Sequence, residues 1–563
     1  MEYDLLLLNL SRCADQQAQY FRECIGQHMI ASYLAQHDFR AKVFSGDILK
    51  ADALIRHEAE TNGVRYVGFY VAADTVVMIG NLIRHLKATT GLTVFVGGPQ
   101  AAALEEVFLR KTGCDFIVVG EGELPILKLM SYLEDHVGQL EELKSVRYLD
   151  ADGVYHAAPL AGLIEKLDIL PYPRREDSLH KGFRMGNAIG LLTGRGCPFH
   201  CAFCYEGASS KVVRYRSIEN VMGEIDSVLA YNKSLAYVNV FDDTFTLRPE
   251  RVYEFCRGMK RRGLRWTCEG HVSCVRKHPE MLERMIDSGL VAMQIGIESG
   301  SCRVLEAYEK HTTPEMIEEV VHLCHDMGLQ TLEGNYIIGG AFESNNTLSE
   351  SLEHAKRLIE MGRGMIELQT VFFAPYFDTP ITKSPEHYGM KLLDDRLEHA
   401  IVTMREPVIE TDELSAGEIA AWRKHFEAEL EQQYHTQAAH CKKSDVVRGG
   451  ISERPTEMRG YRWRKAWDEI PHFADFVQHL TRMEQEYALD KYPIRTGKVR
   501  MSKEGIRVDD QVVLKEPDAS AWYYADGRHT ARQVAEILNV STELVSKIYT
   551  ELNEKCLVYF SPY

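Results

Sequence analysis

The stretch Ile189-Gly-Leu-Leu-Thr-Gly-Arg-Gly-Cys-Pro-Phe-His-Cys-Ala-Phe-Cys-Tyr-Glu-Gly207 organises the reading of the whole chain. Cys197, Cys201 and Cys204 follow a strand-like apolar run with Cys-x3-Cys-x2-Cys spacing. Three thiolates on so short a loop can close around one metal centre, and soft sulfur selects iron–sulfur clusters or zinc. A [4Fe–4S] cluster held by three cysteines leaves one iron open to a ligand. A structural zinc site is closed by a fourth ligand, and His200 stands ready for that. Spacing alone leaves both chemistries standing.

Downstream, apolar runs alternate with helical periodicity. Tyr237–Phe241 reads as a strand ending in Asp242-Asp243-Thr-Phe-Thr246, and Arg265–Glu269 as another. Val291-Ala-Met-Gln-Ile-Gly-Ile-Glu-Ser-Gly300, Thr331–Ile338 before Gly339-Gly340, and Ile366–Phe373 before Ala374-Pro-Tyr376 continue the series. With the strand before the cysteines this makes six strand–helix units.

Cys-x3-Cys-x-Phe-Cys after a glycine-rich strand end, with Phe203 in the aromatic place, resembles the signature of radical S-adenosylmethionine (SAM) enzymes. The resemblance implies a partial (βα)6 barrel with its active face at the carboxyl ends of the strands, by the logic of a full barrel. It implies a [4Fe–4S] cluster on Cys197, Cys201 and Cys204 whose open iron chelates SAM, and reductive cleavage of SAM to a 5′-deoxyadenosyl radical. Gln294-x-Gly296-x-Glu298-Ser299 resembles the fourth-strand motif, which gives Glu298, with Gln294, a role at the SAM ribose. Asp242-Asp243 resembles the strand end near the SAM amino group or the substrate. Ile338-Gly-Gly-Ala-Phe-Glu-Ser344 resembles the Gly-x-Pro-Gly-Glu-Thr segment at adenine, which places Gly339 there, although this chain lacks the proline. Arg214-Tyr-Arg216-Ser217 matches the run usual after the cluster loop and reads as a solvated helix entry or a backbone tie. Tyr205, Asp243 and Cys268 are candidates for the cavity wall; for Cys268, as for His271 and Cys274, packing is the competing role.

Residues 1–135 also alternate strand and helix with short connections, the pattern of a doubly wound parallel sheet. Its strand ends carry Gly97-Gly98-Pro99 and Gly120-Glu121-Gly122-Glu123, where glycine allows close backbone approach to a ligand. Val94-Phe-Val-Gly-Gly-Pro-Gln100 and Asp115-Phe-Ile-Val-Val-Gly-Glu-Gly-Glu123 resemble the Rossmann-like cobalamin-binding domain that precedes many radical SAM enzymes. That assigns Gly97, Gly98, Gly120, Glu121 and Gly122 to cobalamin. The loop after the first strand, Ser11-Arg-Cys-Ala-Asp-Gln-Gln-Ala-Gln-Tyr20, holds no histidine, so no lower ligand is expected from it. Cys13 reads as core or neutral there.

The 563 residues imply three or four domains. With 45% hydrophobic and 26% charged residues, the composition excludes a disordered chain, a fibrous repeat and a disulfide-held mini-protein. The net charge of −17 disfavours wrapping nucleic acid or an anionic membrane. Thirteen cysteines, an odd number, without a secretory signal point to reduced thiols and a soluble cytoplasmic protein. The organisation expected is a cobalamin-type domain (1–135), a connector (136–185), the partial barrel (186–400), a helical region (401–494) and a small module (495–563). Lys442–Lys465 is locally basic, a solvated face or an anion site. Ala525-Asp-Gly-Arg-His-Thr530 and the helix after it resemble a PqqD-like peptide-chaperone module with a winged-helix pattern. The competing view, a DNA-reading winged helix on a cluster- or cobalamin-bearing regulator, meets Glu543, Glu551 and Glu554 on its third helix, a poor face for phosphate. The function expected is cobalamin-dependent radical SAM C-methylation of a peptide or small natural product, fed by an external flavodoxin- or ferredoxin-type electron donor. A radical cyclase, epimerase or rearrangement enzyme without methyl transfer is the alternative.

Overall fold

The computed structural model describes residues 3–11, 24–72, 75–175, 187–205, 212–376, 378–393, 406–450, 461–480, 491–502, 505–509 and 512–561. The loop 12–23, with Cys13, lies outside them.

Two α/β sheets dominate. The first holds β1 (Leu5–Ser11), β2 (Ala41–Asp47), β3 (Tyr66–Tyr70), β4 (Thr93–Gly97), β5 (Phe116–Val118), β6 (Val146–Leu149) and β7 (Tyr155–Ala157), in the order β2-β1-β3-β4-β5-β6-β7. The first five are parallel, and their near-continuous apolar character reflects burial on both faces. Strand order reverses between β1 and β3, so helices cover both faces and a crevice opens at the strands' carboxyl ends. The sheet runs on past residue 135. β6 and β7 add an antiparallel pair to its edge, from a segment whose mixed composition reads as a connector.

The second sheet contains β8 (Ala188–Leu191), β11 (Tyr237–Val240), β12 (Arg265–Gly270), β13 (Leu290–Glu298), β14 (Thr331–Ile338) and β15 (Ile366–Phe372), all parallel. Here spatial order follows chain order without reversal. Right-handed crossovers then place every helix on one face, which curls the sheet into the arc of a partial barrel. Between β8 and β11 a two-residue antiparallel ribbon, β9 (Gly194–Arg195) with β10 (Arg214–Tyr215), carries the cysteine segment at its tip.

A partial barrel leaves an open edge, here β15. Among the described residues no seventh strand pairs with it; side chains do. Tyr434 Oη accepts from Leu368 N (2.9 Å) and donates to Ile366 O (3.1 Å), which also receives Trp463 Nε1 (2.7 Å). Arg462 Nε donates to Leu368 O (2.7 Å), Arg423 Nη2 to Thr370 O (3.0 Å), and Thr370 N to Glu427 Oε1 (3.1 Å). Tyr434, Arg423 and Glu427 come from the helix Ala416–Ala438, started by a Ser415–Glu418 capping box. Arg462 and Trp463 come from the basic stretch. Part of that stretch, 451–460, lies outside the described residues, but Arg462 and the buried Trp463 are neither a solvated face nor an anion site: they close the barrel edge.

After an antiparallel ribbon of β16 (Met390–Leu392) and β17 (Ile409–Thr411), the C-terminal module contains a three-stranded antiparallel sheet, β19 (Val499–Ser502), β20 (Gly505–Val508) and β21 (Val512–Leu514), and the helices Asp518–Tyr523, Ala531–Leu538 and Thr542–Glu554. The closing strand, β22 (Val558–Ser561), pairs with β18 (Tyr492–Arg495), so the module begins before the first strand expected from sequence. It is fastened to the helix Pro471–His479, where His472 N and Nδ1 both lie within 2.9 Å of Asp509 Oδ2. Among the described residues no helix is long and apolar enough to cross a membrane.

Candidate functional site

The ribbon β9–β10 stands at the carboxyl ends of β8 and β11. Its root is pinned on several sides. Thr193 N donates to Asp242 Oδ1 (2.6 Å) and Thr193 Oγ1 to Asp242 Oδ2; Gly196 N donates to Asp243 Oδ2 (3.2 Å). Arg251 Nη2 donates to Thr193 O and Arg216 O. Asp242 and Asp243, expected near SAM or the cavity, are thus engaged with the backbone that leads into the cysteines. Burial raises the Asp242 carboxyl to about 6, against the Thr193 and Gly194 hydrogen bonds that lower it. Gly196 has φ +89°, a turn that favours glycine and delivers the chain to Cys197.

Beyond the turn, Ala202 N donates to Tyr308 O (2.9 Å), and Phe203 meets the Tyr308 ring edge-on at 4.8 Å. Cys201 is buried, whereas Cys197, Cys204 and Tyr205 are half-buried. Burial pushes the Cys201 thiol up to about 11; Lys310 pulls it down, and the charges of Cys204, Glu298 and Cys197 push it up. Among the described residues no three His, Cys, Asp or Glu side chains form a ready metal-binding group. The three thiols therefore share one short loop without being drawn onto a centre.

Glu298 ends β13 with φ +64°, beside a register shift against β14 between Gly296 and Glu298. A bulge with left-handed backbone at a non-glycine residue re-aims a side chain at a cost of about 1–3 kcal/mol, and such strain collects at functional sites. The buried Glu298 carboxylate accepts from Lys310 Nζ (2.9 Å). Lys310 lies between Glu309 (φ +52°) and His311 (φ +54°). Burial lowers its pKa, but Glu298 and Cys201 outweigh that and the net shift is upward. A Cβ at Gly296 would fall 2.2 Å from Glu298 Oε1 and 2.3 Å from Lys310 Nζ, so the pair requires glycine there. Gln294 is half-buried on the inward face of β13, in register with Glu269 and Glu333.

At the end of β14, Gly339 (φ +87°) and Gly340 donate their N–H groups to Glu343 Oε2. Burial pushes the Glu343 carboxyl up to about 7 against those two bonds. Phe342, where the resembled motif has its second glycine, nonetheless takes φ +52°. Cys268 does not line the cavity. Alternation on β12 turns Cys268 and Trp266 toward the helices, where Trp266 meets Phe255 at 5.1 Å, and leaves Thr267 and Glu269 facing inward.

Sequence reasoning missed Lys310 and undervalued His271, because neither falls on a periodic pattern. His271 follows β12, buried, its ring stacked on Phe199 of the cysteine loop at 3.8 Å. Ser273 N donates to Nδ1 (3.3 Å), so the imidazole proton belongs on Nε2. Burial, then Lys310 and His311, lower its pKa to about 3, which keeps the ring neutral. Nε2 is buried without a hydrogen-bond partner, as is Thr312 Oγ1 two residues after Lys310. Buried donors of this kind are what a bound ligand satisfies. This mouth therefore suits a cluster and SAM.

The first sheet's crevice has a comparable character. Gly98 (φ +98°) could not carry a Cβ, which would lie 2.8 Å from Val71 O; a Cβ on Gly97 would make only ordinary contact. Gly120 (φ +84°) has nothing within 4 Å of its Cβ position, whereas Gly122 sits against Ile30. Gln27 Oε1 and Gln100 Nε2, both on buried side chains, have no partner. This glycine cradle with orphaned amides suits a large polar cofactor. Glu121 points elsewhere: its carboxylate is taken by Arg214 and Arg195 of the cysteine ribbon. Arg216, with Arg175, clamps the buried Glu224, so neither Arg214 nor Arg216 is solvated.

Comparison with known proteins decides the reading. Residues 18–129 match the B12-binding domain and residues 191–364 the radical SAM superfamily. The chain joins a B12-binding domain to a radical SAM domain. The cofactors of these domains are cobalamin, a [4Fe–4S] cluster and SAM. An uncharacterised methyltransferase of Pyrococcus horikoshii is 32% identical over 273 residues, 47% of this chain and 58% of that protein. The cytidylyl-2-hydroxyethylphosphonate methyltransferase of Streptomyces wedmorensis is 25% identical over 46% of this chain and 56% of its own length. An anaerobic magnesium-protoporphyrin IX monomethyl ester cyclase of Cereibacter sphaeroides is 26% identical over 51% of this chain and 47% of its length. The chain thus spans about half the length of these relatives. The fold is shared with OxsB, a cobalamin-dependent SAM radical enzyme (TM-score 0.62, 15% identity, 99% of this chain and 80% of that one). It is shared also with the methyltransferase TsrM of Kitasatospora setae (TM-score 0.55, 16% identity, 69% and 78%).

Proposed function

We propose that this radical SAM, B12-binding chain is a cobalamin-dependent C-methyltransferase acting on an unactivated carbon of a peptide or small natural product in the cytoplasm. One observation supports this most. The ribbon that carries Cys197, Cys201 and Cys204 lies between the barrel mouth and the Gly120–Glu123 loop of the corrin-type sheet, so the two cofactor sites share a wall.

When bound, the cofactors supply hydrogen abstraction by a SAM-derived radical and a transferable methyl group, with electrons from a flavodoxin- or ferredoxin-type donor. The residues do the rest. Cys197, Cys201 and Cys204 would hold the cluster, and Asp242 and Asp243 fix the root of their ribbon. Lys310, held by Glu298, and the neutral His271 N–H would offer donors to the carboxylate or carbonyl oxygens of SAM and substrate; Gln294 and Gly339 border the same mouth. Gly97, Gly98, Gly120 and Gly122 let the corrin approach the backbone. Phe199, Phe203 and Tyr308 wall the mouth against water.

The test is anaerobic turnover of the reconstituted protein with SAM, dithionite and hydroxocobalamin, followed by chromatography of the adenosyl products. Methyl transfer through the corrin gives S-adenosylhomocysteine in addition to 5′-deoxyadenosine. 5′-Deoxyadenosine alone would establish the rearrangement reading, and neither product would sink both.

A further inference from the structure

The two domains meet through an ion network. Glu121 and Glu123 follow β5 at the carboxyl end of the first sheet. Arg195 stands two residues before Cys197, and its cross-strand partner on the ribbon is Arg214. Two arginines directly opposite on a ribbon repel each other, so the pairing by itself is destabilising. The first domain provides the compensation. Glu121 accepts from Arg214 through both oxygens (Nη1 at 3.1 Å, with a shorter contact to Nη2) and lies 3.2 Å from Arg195 Nη1. Glu123 accepts from Arg195 Nη2 at 2.5 Å, and the same nitrogen reaches Met29 Sδ at 3.5 Å. Arg214 also donates to Ile164 O (2.8 Å). The Glu123 side chain is 2% exposed and that of Arg214 6%, so the charges interact at low dielectric and none can lose its partner cheaply.

Glu121 belongs to the turn that would touch the corrin, and Glu123 opens the helix Glu123–Asp135 that follows it. Gly120, next to Glu121, has left-handed backbone and open space beside it, whereas Gly122 is backed by Ile30 of the helix Ile25–Ala35. A ligand has room to approach at Gly120, and the next residue, Glu121, is tied directly to the ribbon through Arg195 and Arg214.

We propose that Glu121, Glu123, Arg195 and Arg214 form a positioning latch through which corrinoid binding in the first domain sets the cysteine loop in the second. This rests on the cobalamin reading above. Coupling of this kind is reciprocal, so cobalamin and SAM each tighten the other's binding by the same factor.

The experiment measures SAM affinity in the cluster-reconstituted full chain with and without hydroxocobalamin, with corrinoid uptake followed by absorbance. It also records the electron paramagnetic resonance of the reduced cluster. In the wild type, cobalamin should tighten SAM roughly fivefold or more and shift the resonance. Glu123→Gln should still take up corrinoid and iron but lose both effects, and the exchanged pair Glu123→Arg with Arg195→Glu should restore them. If Glu123→Gln does not fold, Arg195→Lys, which keeps the charge but loses the fork, reads the same loss. Corrinoid uptake without coupling in the wild type, or full coupling in the variants, overturns the latch. Absence of corrinoid uptake in the wild type instead overturns the cobalamin reading, and the latch falls with it.

Discussion

The mouth of the barrel and its open edge at β15 are built from the same kinds of side chain and behave as opposites. At the edge, Leu368 N, Thr370 N and the carbonyls of Ile366, Leu368 and Thr370 each find a side-chain partner. At the mouth, His271 Nε2 and Thr312 Oγ1 are buried and unmatched, and Glu298, Glu309, His311 and Phe342 all hold left-handed backbone. A polar network that is satisfied throughout seals a structure. One that is strained and left partly open is arranged for a ligand. Substitutions at the mouth should then remove function while the fold survives, and substitutions at the edge should do the reverse.

The largest effect is expected at the cysteines. Cys201→Ala should abolish iron and sulfide retention and reduce SAM cleavage to background, with the far-ultraviolet circular dichroism unchanged. A variant that kept its full cluster would remove the mouth from the comparison. Gly296→Ala comes next: its methyl group would separate Glu298 from Lys310. SAM binding, followed by equilibrium dialysis, should weaken by roughly 10–100-fold, the scale of supporting-residue losses at metal sites, while cluster content stays the same.

Much of the mouth was legible in the sequence because motif spacing carried it: three cysteines on one short loop, Glu298 at a strand end, glycines where the backbone turns. Lys310 and His271 were not, since their place depends on two left-handed residues and on a stacking partner from another element. The same holds for Cys268, which the sequence leaves between the cavity wall and packing; on a short strand, only the register tells which face a residue takes. The edge was legible only as composition. Lys442–Lys465 reads as a basic stretch, and the acceptors that bury Arg462 and Trp463 lie about a hundred residues earlier. Arg195 and Arg214 were hidden in a similar way, since their acceptors belong to a different domain.

At the edge itself, Trp463→Phe should destabilise the chain by about 0.5–1.5 kcal/mol, because Ile366 O loses one of its two donors and keeps Tyr434 Oη. SAM affinity should not change, and loss of SAM binding without loss of stability would erase the distinction between the two regions.

The smallest expected effect is a pH slope. The folded-state pKa of Glu343, about 7, lies above its unfolded value, so the folded chain binds the extra proton between pH 4.5 and 7. Stability from this group is therefore complete below pH 4.5, declines through that window and is level above it. Glu343→Gln keeps an acceptor for Gly339 and Gly340 and should flatten that part of the thermal-midpoint profile.

The most direct test of the central claim is a joint count of iron, sulfide and cobalt in protein purified anaerobically with a cobalamin supply, for the wild type and Cys201→Ala. The wild type should hold about four iron, four sulfide and one cobalt per chain, and the variant should lose the iron and sulfide while keeping the cobalt. Zinc in place of iron, or a wild type without cobalt, would contradict the account.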